Sequence, residues 1–356
     1  MMNEEKRKVQ LTGGSTLTIS LPVKWARAAG IKHGDELSLV QRSDNSLLIT
    51  PEKSEEERIK SAELELSENE SFEDNFRYLI SYYLVGYDLV KLLSPRDFEA
   101  EERKRIKEEV RKRLIGMEVV GESSKEIILQ SFLKYEDFTL RDAIRSMSEI
   151  IVSMHGDAIS ALEKGDLNLA EDVTERDNEI DRFYLLIVRQ LKAAMSDPEL
   201  ANKIGVGRQR DSLGYRIIVK SMERIGDHVE NIAKNAMLMN QTSAVLMREP
   251  EAALRVATLK RIKEIGFRTE NIFTETLASL SDMDMKEANE TIRDANTLAD
   301  KLEELNERIL AEELSITDKV HILSILESLG RIAKYCGDIA EVTINMGTRI
   351  AGELEF

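Results

Sequence analysis

Residues 221–236 read SMERIGDHVENIAKNA, and this stretch decides how the rest of the chain is interpreted. Its apolar residues recur every three or four positions, which is typical of the buried face of an α-helix. Three residues with side-chain oxygens recur every four positions and share a second face: Glu223, Asp227 and Asn231. The sequence therefore predicts one helix that carries both a packing surface and a row of oxygen ligands.

An upstream segment, ERDNEIDRFY (175–184), repeats the acidic spacing with Asp177 and Asp181. A turn at Gly165 and Asp166 precedes it. If the two helices pack antiparallel, four carboxylates face one another. Such carboxylates repel, so each must be protonated, remain hydrated or bind a cation. The alternative is that these acids lie on solvated faces, because a chain so rich in acids contains many such pairs by chance.

Length and composition limit the fold class. A chain of 356 residues predicts two or three domains, and 42% hydrophobic with only 5% aromatic residues favours helices packed through aliphatic side chains. The single cysteine, Cys336, excludes an internal disulfide framework and a cysteine-based zinc site. We find no signal peptide and no apolar run of the roughly 20 residues that span a membrane, so we expect a cytoplasmic protein without membrane insertion.

Charge is distributed unevenly along the chain. The formal net charge is -16, yet residues 1–53 hold eight Lys/Arg against six Asp/Glu, and the remainder holds 42 against 60. A mildly basic head is thus followed by a strongly acidic body, and only the head suits a polyanionic partner.

The head has the pattern of β structure. In STLTISL (15–21) apolar and polar residues alternate with the period of a half-buried strand. Pro22 and Gly30 bound a short helix, and two further strands are predicted at 36–41 and 47–50, with a turn at Asp44 and Asn45. Four short strands and one helical turn cannot close a core alone, so we predict an obligate dimer.

The stretch KVQLTGGSTLTISLPVKWARAAGIKHGDELSLV (8–40), followed by SLLITP, resembles the SpoVT/AbrB family of small DNA-binding domains over residues 6–51. The resemblance implies a swapped-hairpin β-barrel dimer that contacts DNA through basic residues. The alternative is a dimerisation module whose lysines are only solvated. The DNA-binding candidates are Lys6, Arg7, Lys8, Lys24 and Arg27.

The middle segment shows no catalytic group. Residues 54–76 are polar and predict a linker with one strand near 62–66. FRYLISYYLVGYDLVKLL (76–93) predicts a single buried helix ending near Pro95, and AEERKRIKEEVRKRL (100–114) predicts a charged helix. MEVVGESSKEIILQSFL (117–133) predicts a hairpin turning at Ser123 and Ser124. Its predicted core residues are Val119, Val120, Ile127, Ile128 and Leu129. This is a small α+β domain.

From Asp137 onward the pattern is helical, with six long helices predicted at about 137–163, 167–195, 209–240, 251–280, 285–311 and 317–351. An offset of 107 aligns RIGDHVENIAK (224–234) with RIAKYCGDIAE (331–341), and an offset of 118 aligns the helices before them. The body is therefore a tandem repeat of three-helix units. We predict a mainly α chain with four segments: 1–53, 54–135, 136–244 and 245–356.

This tandem, with ERIGDHVENIA in its first unit, resembles the PhoU family of phosphate-signalling regulators over about 137–351. That family binds metal ions through E/DxxxD motifs on facing helices and represses phosphate uptake. With the head, the chain resembles the archaeal type of phosphate uptake regulator. The resemblance implies a divalent or trivalent metal ion (Fe, Mn, Mg or Zn), DNA upstream of phosphate genes, a homodimer or higher oligomer, and a phosphate transporter ATPase or signalling protein as partner. The predicted metal ligands are Asp177, Asp181, Glu223, Asp227 and Asn231, with His228 outside the ligand set.

The second repeat departs from the ligand pattern. Gly330 stands at the position of Glu223, Lys334 at that of Asp227 and Asp338 at that of Asn231. Ala295 and Ala299 correspond to the two aspartates of the first repeat, and a one-residue shift would offer Asn296 and Asp300 instead. We predict that the second site is lost or occupied by an ion pair of Lys334, which leaves one metal site per chain.

Three classes of function compete. A phosphate-responsive regulator needs both the basic head and the acidic helical body. An adaptor that docks on a transporter or a sensor kinase without touching DNA is the main alternative. A di-iron enzyme would need Glu-x-x-His pairs in its bundle. The four histidines, His33, His155, His228 and His321, form no such pair, so we do not expect an enzyme.

Overall fold

A computed structural model describes residues 4–41, 46–51, 59–242 and 249–348. The chain divides into a head, which extends to residue 59, and a larger compact unit of residues 60–348. Helices in the described ranges include none that is long and apolar enough to cross a membrane.

The head contains two hairpins and one short helix. Strand β1 pairs antiparallel with β2, and β3 pairs antiparallel with β4. Gly13 and Gly14 form the first turn at φ values of 65° and 85°, in the left-handed region that favours glycine. The predicted turn at Asp44 and Asn45 lies outside the described residues. The elements are β1 Gln10–Thr12, β2 Thr16–Thr18, α1 Val23–Ala28, β3 Leu37–Gln41 and β4 Leu47–Pro51.

No described residue of the head is buried, which shows that its strands lack a core within one chain. Leu17 is 71% exposed and Leu11 is 66% exposed, although both belong to strands. The hairpins lie in separate two-stranded sheets, so a single chain does not close the predicted barrel. Apolar strand residues of this kind need a covering surface, and a second head is the one we predict.

We expect the full chain to associate through this head. Replacing Leu17 with Asp places a charge on the exposed apolar face and should halve the mass measured by light scattering at micromolar concentration. The matched control is Leu213→Asp on the helical body, at a leucine that is 65% exposed and should leave the mass unchanged. A chain that is already monomeric without substitution would contradict the dimer prediction.

The middle segment forms an α+β subdomain. Strands β5 and β6 are parallel, whereas β8 is antiparallel to both β6 and β7, and the strand order is β5-β6-β8-β7. The predicted charged helix and hairpin are confirmed. The elements are β5 Ser61–Glu65, α2 Phe72–Val85, β6 Leu89–Leu93, α3 Ala100–Arg113, β7 Met117–Glu122 and β8 Glu126–Ser131.

Two predictions for this subdomain are wrong. Residues 76–93 do not form one helix, because Gly86 adopts φ 95° and ends α2, after which the chain turns into strand β6. Residue Val120 is not a core residue but is 46% exposed. The pairing of β7 with β8 shifts between Val119 and Gly121, and this β-bulge leaves Val120 without a partner strand residue.

The helical body begins after a capping box in which the Thr139 hydroxyl accepts from the backbone N–H of Asp142. The six predicted long helices are confirmed. A short helix was not predicted; it starts at Pro198, with the Asp197 carboxylate accepting from two backbone N–H groups. The helices are α4 Leu140–Lys164, α5 Leu167–Ser196, α6 Pro198–Lys203, α7 Asp211–Thr242, α8 Glu249–Asp282, α9 Met285–Ala311 and α10 Ile316–Gly347.

The two three-helix units share one core and meet along α7 and α10. A polar network crosses this contact. Asn231 Nδ2 donates to Ser328 Oγ at 2.8 Å, and Asn235 Oδ1 lies 2.9 Å from His321 Nδ1. Buried polar groups that are paired in this way fix the register of one helix against the other. The mainly α fold with a tandem helical repeat is thus confirmed.

Candidate functional site

Helices α5 and α7 pack antiparallel, as predicted, and a glycine allows their closest approach. A methyl group on Gly226 would lie 2.6 Å from Ile180 Cδ1 and 3.4 Å from Asp177 Oδ1. Further along, Arg216 Nη2 donates to Tyr184 Oη at 2.6 Å. The absent side chain at position 226 therefore brings the acidic face of α5 directly against α7.

Three aspartates share the groove between these helices, and the pKa of each is raised. Burial, followed by the charges of Glu230, Asp181 and Asp227, raises the pKa of Asp177 to about 7. Burial, then Glu223 and Asp181, raises the pKa of Asp227 to about 6, and burial and Glu223 raise the pKa of Asp181. Close carboxylates without a cation favour the protonated form, and a cation would favour the charged form.

Two lysines partly compensate the glutamates beside this cluster. Lys220 Nζ lies 2.5 Å from Glu223 Oε2, and Lys234 Nζ lies 2.6 Å from Glu230 Oε2. Glu230 was not among the predicted site residues, although its charge is the largest contributor after burial to the raised pKa of Asp177. Glu230 lies three residues after Asp227 and seven after Glu223, so it is close to the helix face that they share. This spacing was the sequence signal for Glu230.

The amide of Asn231 is bonded to α10. Its Nδ2 donates to Ser328 Oγ and, at 3.2 Å, to Ser324 Oγ on α10. His228 also faces α10, where its ring stacks on Tyr335 with centroids 5.9 Å apart and its Nδ1 lies 3.4 Å from Ser328 Oγ. Burial and then Arg331 lower the pKa of His228. Both side chains therefore belong to the contact between the repeats in this structure.

The carboxylates suit a hard cation by charge and donor type, because oxygen ligands from Asp and Glu are those that such ions prefer. In residues 4–41, 46–51, 59–242 and 249–348, no three His, Cys, Asp or Glu side chains converge closely enough to hold a metal ion. A cation bound here would therefore have to draw the side chains of Asp177, Asp181 and Asp227 together against the repulsion that their pKa values record.

The second repeat offers a weaker acidic face. Ala295 is buried, and Asn296, Asp300, Lys334 and Asp338 are exposed. Lys334 forms no ion pair with the residues that the structure describes, so the alternative of an internal ion pair is not realised. Burial, with the charge of Glu341, raises the pKa of Asp338. The position equivalent to Gly226 is Ala333, whose methyl group is buried.

The predicted DNA-binding residues of the head are all exposed. Lys24 and Arg27 lie three positions apart on α1 and therefore project from neighbouring positions on one side of the helix. Lys6 and Arg7 form local ion pairs with Glu4 and Glu5, which reduces their net positive charge. Within one head, Lys24, Arg27 and Lys8 are thus the better candidates for phosphate contacts.

We expect the metal-free body to lose stability as the pH rises. The folded chain holds the protons of Asp177 and Asp227 more tightly than the unfolded chain, in which an aspartate titrates near 3.8. The free energy of unfolding should therefore fall between about pH 4 and pH 7. Asp177→Asn removes part of this loss, and Asp300→Asn is the matched control. The difference in the free energy of unfolding between the two variants should be absent at pH 4 and largest above pH 7. Urea unfolding in chelator at pH 4, 6 and 8 measures this difference. If the stability of Asp177→Asn relative to Asp300→Asn does not increase with pH, the prediction is contradicted.

Two family models match the chain. A PhoU domain matches residues 144–236, which cover α5 and most of α7. The family described as "Antidote-toxin recognition MazE, bacterial antitoxin" matches residues 10–57.

Curated relatives are also similar to part of the chain. The phosphate-specific transport system accessory protein PhoU homolog of Pseudomonas putida is 26% identical over 154 residues, which is 42% of this chain and 57% of the relative. The homolog of Aquifex aeolicus is 32% identical over 101 residues, which is 28% of this chain and 43% of the relative. The chain thus matches about half the length of these curated relatives.

Two solved structures match part of the chain. The phosphate transport system regulatory protein PhoU of Streptococcus pneumoniae matches with a TM-score of 0.49 and 18% identity, over 61% of this chain and 96% of that one. PhoU of Pseudomonas aeruginosa matches with a TM-score of 0.44 and 22% identity, over 60% of this chain and 100% of that one. The two family matches, one in the head and one in the body, support a fusion of a PhoU domain with an AbrB-type head.

Proposed function

We propose that this chain regulates phosphate uptake, with a DNA-binding head controlled by a metal-binding helical body. The observation that carries the proposal is the PhoU domain at residues 144–236, whose relatives are named as accessory proteins of phosphate-specific transport. The α5–α7 groove lies within those residues. A regulatory role needs no catalytic group, and we assign none.

The body would act as the sensor. Asp177, Asp181, Asp227 and the two flanking glutamates would hold a divalent or trivalent ion such as Fe, Mn, Mg or Zn. The raised pKa values of Asp177 and Asp227 support this assignment, because the repulsion that they express is relieved by a bound cation. The acidic body would also present the surface for a transporter ATPase or a signalling protein.

The head would act as the output. Two copies would bring together their basic residues on one surface, which increases the positive potential that phosphates meet. The excess of charge is small, so binding should be weak at each phosphate and sensitive to salt. The proposed DNA is the region upstream of phosphate genes, and a homodimer is the smallest assembly that covers the apolar strand faces.

A gel-shift assay tests the DNA-binding function. The full chain is mixed with its own upstream region at 50 mM and at 200 mM salt, with scrambled DNA of equal length as the control. Specific retention supports the regulator. Equal, weak retention of both DNAs would favour the adaptor, which would then bind a phosphate transporter or a sensor kinase directly.

Salt dependence tests the head residues separately. Replacing Lys8, Lys24 and Arg27 with Ala should weaken binding to every DNA and flatten the slope of log affinity against log salt by about one for each phosphate that is no longer neutralised. The matched control replaces three exposed lysines of the body, Lys112, Lys260 and Lys301. If both triple variants bind alike, the head residues do not contact DNA.

A further inference from the structure

Lys220 of α7 engages both carboxylate oxygens of a predicted metal ligand. Its Nζ lies 2.5 Å from Glu223 Oε1 and 2.5 Å from Glu223 Oε2. The Glu223 side chain is 13% exposed, and that of Lys220 is 37% exposed. A carboxylate that is largely buried needs an opposite charge and hydrogen-bond donors, and the ammonium supplies both. A metal ion would therefore have to take Glu223 from this lysine.

Lys220 also has a contact that does not involve Glu223. Its Nζ lies 5.1 Å from the centroid of the Tyr184 ring on α5. That ring is held in place, because Arg216 Nη2 donates to Tyr184 Oη at 2.6 Å. A cation over an aromatic face is attracted by the negative face of the ring. The ammonium would thus keep a favourable contact after giving up Glu223.

The charge of Lys220 acts beyond the carboxylate that it binds. Burial raises the pKa of Asp181 and Asp227, Glu223 raises it further, and Lys220 opposes both effects. Lys220 therefore does for these aspartates part of what a bound metal ion would do, since a nearby positive charge favours the charged form of a carboxylate.

Two other cations lie near the same carboxylates but are bound differently. Lys234 pairs with Glu230, with its Nζ 2.6 Å from Oε2. Arg113 belongs to the α+β subdomain, and its Nη1 lies 3.0 Å from Glu73 Oε2 of the same subdomain. Of these three cations, Lys220 is the one that binds a carboxylate predicted from the sequence to be a ligand.

We propose that Lys220 is the resident counter-ion of Glu223 and that a divalent ion binds the groove by displacing it. The ion carries two positive charges and the ammonium one, so the aspartates of the groove favour the exchange. A monovalent ion brings no more charge than the lysine, so the arrangement selects ions of higher charge. This inference rests on the metal binding proposed above and names the residue that limits it.

Calorimetry with Mn²⁺ at pH 8 on the full chain tests the displacement. Lys220→Met frees Glu223 and should tighten Mn²⁺ binding about tenfold, because no ammonium competes for the carboxylate. Lys220→Arg restores the charge and should return the affinity towards that of the unmodified chain. Lys192→Met is the matched control, because Lys192 is exposed and lies about 16 Å from Asp181 along α5, and it should leave the affinity unchanged.

A double-mutant cycle shows whether Lys220 acts through Glu223. In a chain that already carries Glu223→Gln, Lys220→Met should change Mn²⁺ affinity by less than about twofold, since no carboxylate is left to be freed. If Lys220→Met tightens binding equally with and without Glu223, the lysine acts only through the overall charge of the groove, and the proposal is overturned.

Urea unfolding in chelator at pH 8 gives a readout without metal. Lys220→Met should unfold at a lower urea concentration than Lys192→Met, because it leaves the largely buried Glu223 without a cation. Equal unfolding midpoints would overturn the counter-ion role. Mn²⁺ binding by Lys220→Met that is no tighter than that of the unmodified chain would overturn the displacement and leave the proposed metal site standing. Failure of Mn²⁺ to bind the unmodified chain and every variant would contradict both proposals.

Discussion

Replacing Arg189 with Met should destabilise the unit of residues 60–348 by about 3 kcal/mol, the upper end of the range for hydrogen bonds to a charged group. Arg189 is 1% exposed on α5. Its Nη1 donates to the backbone oxygens of Tyr83 at 2.5 Å and Tyr87 at 3.0 Å, and its Nη2 lies 3.1 Å from Asp88 Oδ1. Methionine would fill the space but would donate to none of these three acceptors; Tyr83 O would keep only the N–H of Gly86 and Asp88 that of Lys60.

The measurement is urea unfolding followed by circular dichroism at 222 nm. Lys192→Met is the matched control, because Lys192 is an exposed cation on the same helix and its loss should change stability by less than about 0.5 kcal/mol. Arg189→Lys should recover part of the loss, since an ammonium still reaches some of the acceptors but cannot span all three. If Arg189→Met unfolds at the same urea concentration as Lys192→Met, the buried guanidinium does not join α5 to the subdomain.

Arg189 also shows why periodicity predicts helices better than their contacts. The apolar spacing in 185–191 predicts α5 correctly, and its cap residues at Asp166 and Gly165 mark the start. A lone arginine within that apolar run was the signal of a buried charge. Its acceptors lie more than a hundred positions away in sequence, on α2 and the turn after it, and no local pattern connects them.

The errors in the α+β subdomain have two causes. The apolar residues of 76–93 fit a helix and a strand equally well, and only the left-handed conformation of Gly86 decides where one ends and the other begins. The bulge at Val120 depends on how β7 pairs with β8. The bulge therefore follows from tertiary pairing, whereas the end of α2 follows from a local glycine signal.

At the candidate site, the four-residue spacing in the sequence predicted carboxylates on facing helices. It did not predict which side chains each of these residues contacts. After burial and the neighbouring glutamates, the charge of Asp181 raises the pKa of both Asp177 and Asp227, as expected for facing helices. Asn231 satisfies the same spacing, yet Ser324 and Ser328 on α10 bind its amide. The spacing in sequence predicts the face of the helix on which a side chain lies. Which of two adjacent grooves the side chain enters depends on how the neighbouring helices pack.

The two repeats should differ in metal content. Replacing Asp181 and Asp227 with Asn removes two of the four carboxylates predicted to bind the ion, so a hard divalent cation should bind far more weakly. Replacing Asp300 and Asp338 with Asn in the second repeat should leave the metal content nearly unchanged. Lys334 stands where the first repeat has Asp227, and its charge opposes a cation there.

Elemental analysis after dialysis measures metal per chain for the unmodified protein and the two double variants, loaded with Mn²⁺ or Fe²⁺. Loss of metal from the second-repeat variant, or its retention by the first, would contradict the one-site prediction and show that the repeat alignment misplaces the ligands. A separate readout needs no metal. In chelator at pH 8, the Asp181 and Asp227 variant should be more stable than the unmodified chain, because it removes two of the charges that, together with burial and Glu230, raise the pKa of Asp177 to about 7. Saturating metal should reverse that order, since the ion stabilises only the folded chain that binds it.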